Sequence, residues 1–164
     1  MSVRSPRYAR IADNAYVNRQ SRVRDRSKWE PVVADDVMFE VLKHVDNKQT
    51  GYQGTVYERV DTGEIVVAHR GTDALKDGLV DASMVTSRLN LQTADAIALT
   101  RDALSMARTS SARGGQVVPV TVTGHSLGGT LAQITALHLT LKGETFDAYG
   151  AASLGLRIPQ AAIR

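Results

Sequence analysis

Apolar and polar positions repeat with different periods along this chain. Tyr8 to Val17 sets Tyr8, Ile11 and Tyr16 on one side beside the small Ala9, Ala12 and Ala15, which predicts a short helix. Residues 18–35 read as a polar loop that passes Trp29-Glu30-Pro31. From Val37 the period drops to two, because Val37, Phe39 and Val41 alternate with Met38, Glu40 and Leu42, and a strand is expected. Gly51 to Val60 and Glu64 to His69 are β-rich runs separated by Asp61-Thr62-Gly63, whose glycine can take positive φ, so they should pair as an antiparallel hairpin.

Beyond His69 the pattern turns to loop and short helix through Asp77-Gly78-Leu79-Val80-Asp81. Thr93 to Arg113 then carries Ala94, Ile97, Leu104 and Ala107 near one face, a long helix stopped by Gly114-Gly115. Val117, Val118, Val120 and Val122 with Thr121 and Thr123 have the make-up of a buried parallel strand, and Pro119 stands near its start. Leu127, Leu131, Ile134, Leu137 and Leu141 return to a helical period, with Lys142-Gly143 expected as basic last turn and C-cap glycine. Phe146 to Gly155 reads as a further strand. Helix alternating with strand argues for an α/β sandwich with a central, mostly parallel sheet and an N-terminal antiparallel hairpin.

Composition narrows this further. A chain of 164 residues that is 43% hydrophobic can build one compact core, so residues 1–164 are expected to form a single domain with an N-terminal helix and basic loop over 1–35. Without cysteine it has neither disulfides nor thiolate metal sites. The net charge of +3 is uneven: residues 1–30 hold eight Lys/Arg against three Asp/Glu, and the remainder is net acidic. Arg19, Arg22, Arg24, Arg26 and Lys28 fit a solvated charged segment, and no aromatic-interleaved basic surface follows, so no nucleic-acid partner is expected. No apolar run has membrane-spanning length, and MSVRSPRYAR lacks the hydrophobic core of a secretory signal. A cytoplasmic location or a non-Sec export route is therefore expected.

The candidate chemistry lies in Val117 to Thr130, VVPVTVTGHSLGGT. A strand running into Gly-x-Ser-x-Gly and then a helix is the context of a nucleophile elbow, with Ser126 exposed on a strained turn. Gly124 and Gly128 are small because side chains there would strike the neighbouring strand or helix, and His125 packs or hydrogen-bonds beside the nucleophile strand. The competing reading is a Gly-rich βα turn that merely packs well. A serine hydroxyl is a weak nucleophile at neutral pH and needs a base and preorganised donors for the developing oxyanion. The backbone N–H of Leu127, at a helix N-terminus, suits one donor. Arg70-Gly71-Thr72 is the best source of the second, since the glycine permits close approach and Thr72 offers both a backbone N–H and a hydroxyl.

Arg-Gly-Thr-Asp at 70–73, Lys76-Asp77 and Asp81, followed by Gly-His-Ser-Leu-Gly-Gly at 124–129, resemble the class 3 (fungal-type) lipase family of α/β-hydrolases over about residues 50–155. Tyr8 to Tyr16 also resembles the N-terminal helix of bacterial members. The resemblance implies a serine lipase or phospholipase of triacylglycerol lipase or phospholipase A1 type. It implies Ser126 as nucleophile, Thr72 and Leu127 as oxyanion donors, a lipid or ester substrate met at a transiently contacted membrane surface, and no cofactor. Two positions depart from the family: His69 stands where an aromatic, commonly Phe, is usual, and Gly78 where Trp often stands.

The triad order in this fold is Ser, then Asp or Glu, then His. After Ser126 the chain offers Glu144 and Asp147 as acids and His138 as its one histidine. His138 lies along the helix that starts at the elbow, roughly 18 Å from the nucleophile at 1.5 Å per residue. His69 ends the strand feeding the oxyanion loop and could assist, while His44 has no chemical companions nearby. Asp147 is expected to begin the strand after the nucleophile helix. Asp73, Asp77 and Asp81, spaced by four, fit helix caps or Arg70 partners and no metal site. The chain is thus expected to be an N-terminal part whose acid and base lie beyond residue 164 or on a second chain, weakly active or inactive alone. The alternative is a non-catalytic interaction protein that keeps the elbow as scaffold.

Overall fold

A computed structural model describes residues 6–15, 30–71 and 82–146. Among them, three helices and six strands follow in the order α1 (Pro6–Asn14), β1 (Val32–Ala34), β2 (Val37–Asn47), β3 (Tyr52–Arg59), β4 (Ile65–His69), α2 (Ala82–Gly114), β5 (Val120–His125), α3 (Leu127–Leu139) and β6 (Lys142–Phe146). The strands form one sheet in sequence order. The α/β-hydrolase layering is present, but the sheet is mixed and not mostly parallel: β1–β2, β2–β3 and β3–β4 pair antiparallel, and only β4–β5 and β5–β6 are parallel. The reason is connectivity. Short turns join β1 to β4 in succession, whereas the long α2 carries the chain from β4 over the sheet to β5, as a parallel neighbour requires.

Strand alternation sorts side chains to the two faces. Tyr52, Val56, Ile65, Val67, Val120 and Val122 pack with Val85, Leu89, Leu99, Leu127 and Leu131 of α2 and α3. On the opposite face Phe39, Val41, Tyr57, Val66 and Ala68 pack with Ile11 and Ala15 at α1. The sheet is therefore covered on both sides. Among the described residues no helix is long and apolar enough to cross a membrane.

The expected hairpin is present, with Ile65 opposite Glu58 and His69 opposite Gly54. Four elements differ from the sequence reading. Residues 32–34, expected as loop, form β1, because Asp35 and Asp36 both take positive φ (53° and 59°) and fold Val32–Ala34 back onto Val37–Phe39. The long helix starts at Ala82 and not Thr93, since Val85, Leu89, Gln92 and Ala96 continue its buried stripe. It does stop as expected, with Gly115 at φ 69° donating its N–H to Ser111.

The elbow helix ends earlier than expected. Thr140, at φ 55° and ψ 50°, is the left-handed C-cap, and its N–H returns to the Ala136 carbonyl. Gly143 is no cap at all: it lies in β6 opposite Val122, where an added Cβ would collide with the Val122 carbonyl. The last strand already begins at Lys142 and includes Phe146, and residues 147–155 of the expected strand lie outside the described residues, as do Tyr16 and Val17 of the expected first helix.

Candidate active site

β5 delivers Gly124 and His125 to the C-terminal end of the parallel strands, and the next residue breaks the strand. Ser126 sits at φ 55° and ψ −125°, a region that costs a non-glycine residue on the order of 1–3 kcal/mol. Three contacts hold it there. Its N–H donates to the Phe146 carbonyl at 2.9 Å, its carbonyl accepts the Thr130 N–H at 3.2 Å, and β5 is locked between β4 and β6. The Ser126 hydroxyl makes no capping bond to its own helix.

The elbow glycines are small for a visible reason. A Cβ on Gly124 would overlap the Gly128 carbonyl and lie 2.7 Å from the Gly129 nitrogen. A Cβ on Gly128 would overlap the His69 carbonyl oxygen and come within 2.8 Å of the Gly71 nitrogen. α3 can therefore start almost in contact with the ends of β5 and β4. Leu127 buries its side chain completely, while its N–H belongs to the first-turn amides that a helix leaves without an internal acceptor, at the positive end of the helix dipole.

The chain leaves β4 through Arg70 and Gly71 directly beside this helix start. Arg70 is held on β3: its N–H donates to the Gln53 carbonyl at 2.9 Å and its guanidinium to the Gln53 side-chain oxygen. Thr72, the expected second donor, lies outside the described residues, as do Asp73, Asp77, Gly78, Asp81 and Asp147. His125, half-buried, follows Thr121 and Thr123 to the face covered by α1.

All four histidines of the sequence fall within the described residues. His69 is fully buried, with Nδ1 2.8 Å from the Tyr52 hydroxyl and Nε2 3.2 Å from Thr135 Oγ1. Burial pushes its pKa down to about 3, so the ring is neutral and both nitrogens are engaged, which removes it as an assisting base. His44 does have a companion, the Thr55 hydroxyl at 2.8 Å. His138 is buried, with its Nδ1 bonded to nothing among the described residues, and burial first, then the nearby Arg101 charge, lower its pKa. Glu144 lines a cleft of about 600 Å³ with Tyr8, Thr121 and Lys142, and Ser126 is not part of that lining. No group of three or more metal-ligating side chains forms among the described residues.

Sequence reasoning missed Tyr52 and Thr135, the partners of His69. A signal existed in Gly54, which lies opposite His69 and whose Cβ would overlap the Tyr52 hydroxyl. A Tyr-x-Gly strand facing a histidine leaves room for a buried polar pair.

A family model, the Tle-like phospholipase domain, matches residues 7–158. No curated protein matches the chain in sequence. Among solved structures, Lip2 lipase from Yarrowia lipolytica superposes with a TM-score of 0.60 at 16% identity, over 87% of this chain and 56% of that one. The lipase from Rhizopus microsporus var. chinensis gives 0.57 at 21% identity, over 87% and 55%. A triacylglycerol lipase from Penicillium expansum gives 0.51 at 19% identity, over 80% and 52%. At these identities the shared property is the fold, which bears out the expected α/β-hydrolase fold. The chain spans just over half the length of these lipases.

Proposed function

The chain belongs to the Tle-like phospholipase domain family, and from that premise we propose that it carries the nucleophile of a lipolytic serine hydrolase acting on carboxylic esters of phospholipids or acylglycerols. The observation that carries the proposal is Ser126, held at φ 55° where α3 begins, with α3 pressed through Gly128 onto the exit of β4. That arrangement presents a serine hydroxyl beside a helix N-terminus and beside a second strand end, the two sources of donors that acyl transfer needs.

In the proposed reaction Ser126 Oγ attacks the ester carbonyl carbon as a base removes its proton. The tetrahedral oxyanion rests on the Leu127 N–H and on Thr72. Collapse expels the alkoxide oxygen, which takes the proton from the base and departs as the alcohol, leaving an acyl-enzyme that water then cleaves to the carboxylic acid. The base is not one of the chain's own histidines. His69 is neutral with both nitrogens engaged, His44 bonds Thr55 on β3, His125 alternates with Val122 and Gly124 to the sheet face away from α3, and His138 is buried on α3 beside Arg101. In this reading the base, and the acid that orients it, come from polypeptide beyond Arg164 or from a second chain. Contact with the lipid surface is transient.

A fluorophosphonate probe tests this on the intact gene product. Rapid labelling that Ser126→Ala abolishes, together with hydrolysis of a short-chain phospholipid lost in the same variant, is the expected result. A folded, intact product that leaves Ser126 unlabelled overturns the proposal and favours a scaffold role for the elbow.

A further inference from the structure

His69 lies on β4 and meets α3, the two elements from which the proposed oxyanion donors come. Its backbone lies opposite Gly124 in the β4–β5 register, and its carbonyl rests on Gly128, where no side chain intervenes. Its ring reaches α3 again further along, at Thr135, and reaches back to Tyr52 on β3. Tyr52, His69 and Thr135 are all completely buried.

The direction of these bonds follows from counting protons. The Thr135 hydroxyl has one proton, which it gives to the α3 carbonyls of Leu131 and Ala132 at 3.0 and 3.1 Å. Toward His69 it can only accept, so Nε2 carries the ring proton and Nδ1 accepts from the Tyr52 O–H. Every polar atom of the chain Tyr52–His69–Thr135 is satisfied, and in a dry interior each bond resists being broken because the freed groups would have no water to replace it.

Resting on Ser126 as the nucleophile, we infer that His69 is a positioning residue that fixes the distance between the Leu127 N–H on α3 and the strand exit leading to Thr72. One oxyanion donor sits on α3 and the other follows β4, and these two elements meet through Gly128 and through the His69 ring. The His69 carbonyl pressed on Gly128 sets how closely α3 approaches. It does not stop α3 sliding along β4, whereas a directional bond from Nε2 to Thr135 does. Arg70, bonded through its N–H and guanidinium to Gln53, carries the hold one residue further toward the loop. A phenylalanine at position 69 would fill the same space without that restraint on sliding. Displacement of a catalytic donor by about 1 Å costs on the order of a hundredfold in rate, so partial loosening is expected to cost about tenfold.

The test compares the parent hydrolase, in its intact and active form, with Thr135→Val, Thr135→Ser and the double variant Tyr52→Phe/His69→Phe. The double variant leaves no buried polar group orphaned and stays folded if the single substitution does not. Thr135→Val and the double variant are expected to lower kcat and the fluorophosphonate labelling rate of Ser126 about tenfold, with KM within twofold of the parent and the pH profile unmoved. Thr135→Ser, which keeps the hydroxyl, is expected to hold the parent rate. Parent kcat in a double variant shown to be folded by its melting curve overturns the inference and leaves the hydrolase reading standing. A parent that fails to label at Ser126 removes that reading and this inference with it.

Discussion

The carbonyl oxygen of His69 lies against Gly128, so the end of β4 and the helix that begins after Ser126 meet with no side chain between them. Such a contact leaves no slack. Replacing Gly128 with alanine must push α3 off β4, because the intruding methyl meets backbone on the other side and not a side chain that can rotate away. Overpacking of this kind costs ~1–3 kcal/mol. Gly128→Ala is expected to lower the denaturation midpoint and to slow Ser126 labelling at least tenfold. Labelling at the parent rate would show that the contact is not what sets the site.

Ser126 stores strain that a glycine would not. Ser126→Gly removes the proposed nucleophile and also the Cβ that makes φ 55° costly. Ester hydrolysis should vanish while stability rises by roughly 1 kcal/mol, which corresponds to about 2–4 °C in melting temperature for a chain of this size. Differential scanning calorimetry of both proteins reads this directly, and an unchanged or lower melting temperature counts against stored strain.

Buried histidines give the fold an acid limit. The folded pKa of His69, about 3, lies below the ordinary 6.5, so its contribution is fully present above pH 6.5 and is lost as pH falls toward 3. His138 shifts in the same direction. The carboxylates with depressed values, Asp46 and Asp61, lose their contribution only below 3.8, so the window from pH 6.5 to about 4.5 isolates the histidines. A stability loss on the order of 2 kcal/mol is expected across that window at 1.36 kcal/mol per unit. Urea midpoints should record it in the parent and record much less in Tyr52→Phe/His69→Phe. A parent whose midpoint is flat over the window contradicts this.

The N-terminal helix is tied to the sheet by polar contacts at both of its ends. At the first, the Tyr8 hydroxyl donates to Glu64, which also accepts from Thr121 at 3.1 Å; at the other, the Tyr57 hydroxyl donates to Asn14 at 2.9 Å. Burial first, and then Glu64, push the Tyr8 pKa up to about 12. This contribution is full below pH 10 and is lost as pH rises through 12. Tyr8→Phe should cost about 1 kcal/mol and expose the start of α1 to limited proteolysis, with Ser126 labelling unchanged. Protease resistance equal to the parent's would mean that α1 is held by its apolar side and Asn14 without help from Tyr8.

The parts of the fold that were legible in the sequence are those whose signal is local. The Asp61-Thr62-Gly63 hairpin and the strand–glycine–serine–glycine–helix run both carry their turn chemistry and their apolar period within a few residues. Val32–Ala34 was not legible, because a three-residue strand has almost no period and its signal is the pair of positive-φ aspartates that follows it. Gly143 was misread because a glycine after a basic residue marks a helix end only if the helix reaches it, and Thr140 ends it first. Among the residues of the candidate site, Ser126, Leu127 and the elbow glycines could be proposed from adjacent positions. The contacts of His69 could not, since its partners Tyr52 and Thr135 come from elements that only tertiary packing brings together.

The mixed sheet also orders events in time. β1 to β4 pair through short turns, so they can assemble as soon as the chain collapses. The parallel pairing of β4 with β5 must wait until the whole of α2 has been laid over the sheet, and closing so long a loop is slow. Ser126 is pinned by β6 and by the meeting of β4 with Gly128, both of which lie on the late side of that step. A partly folded chain therefore carries an ordinary, unstrained serine, and reactivity toward the probe should appear with the last kinetic phase of refolding and not with the first.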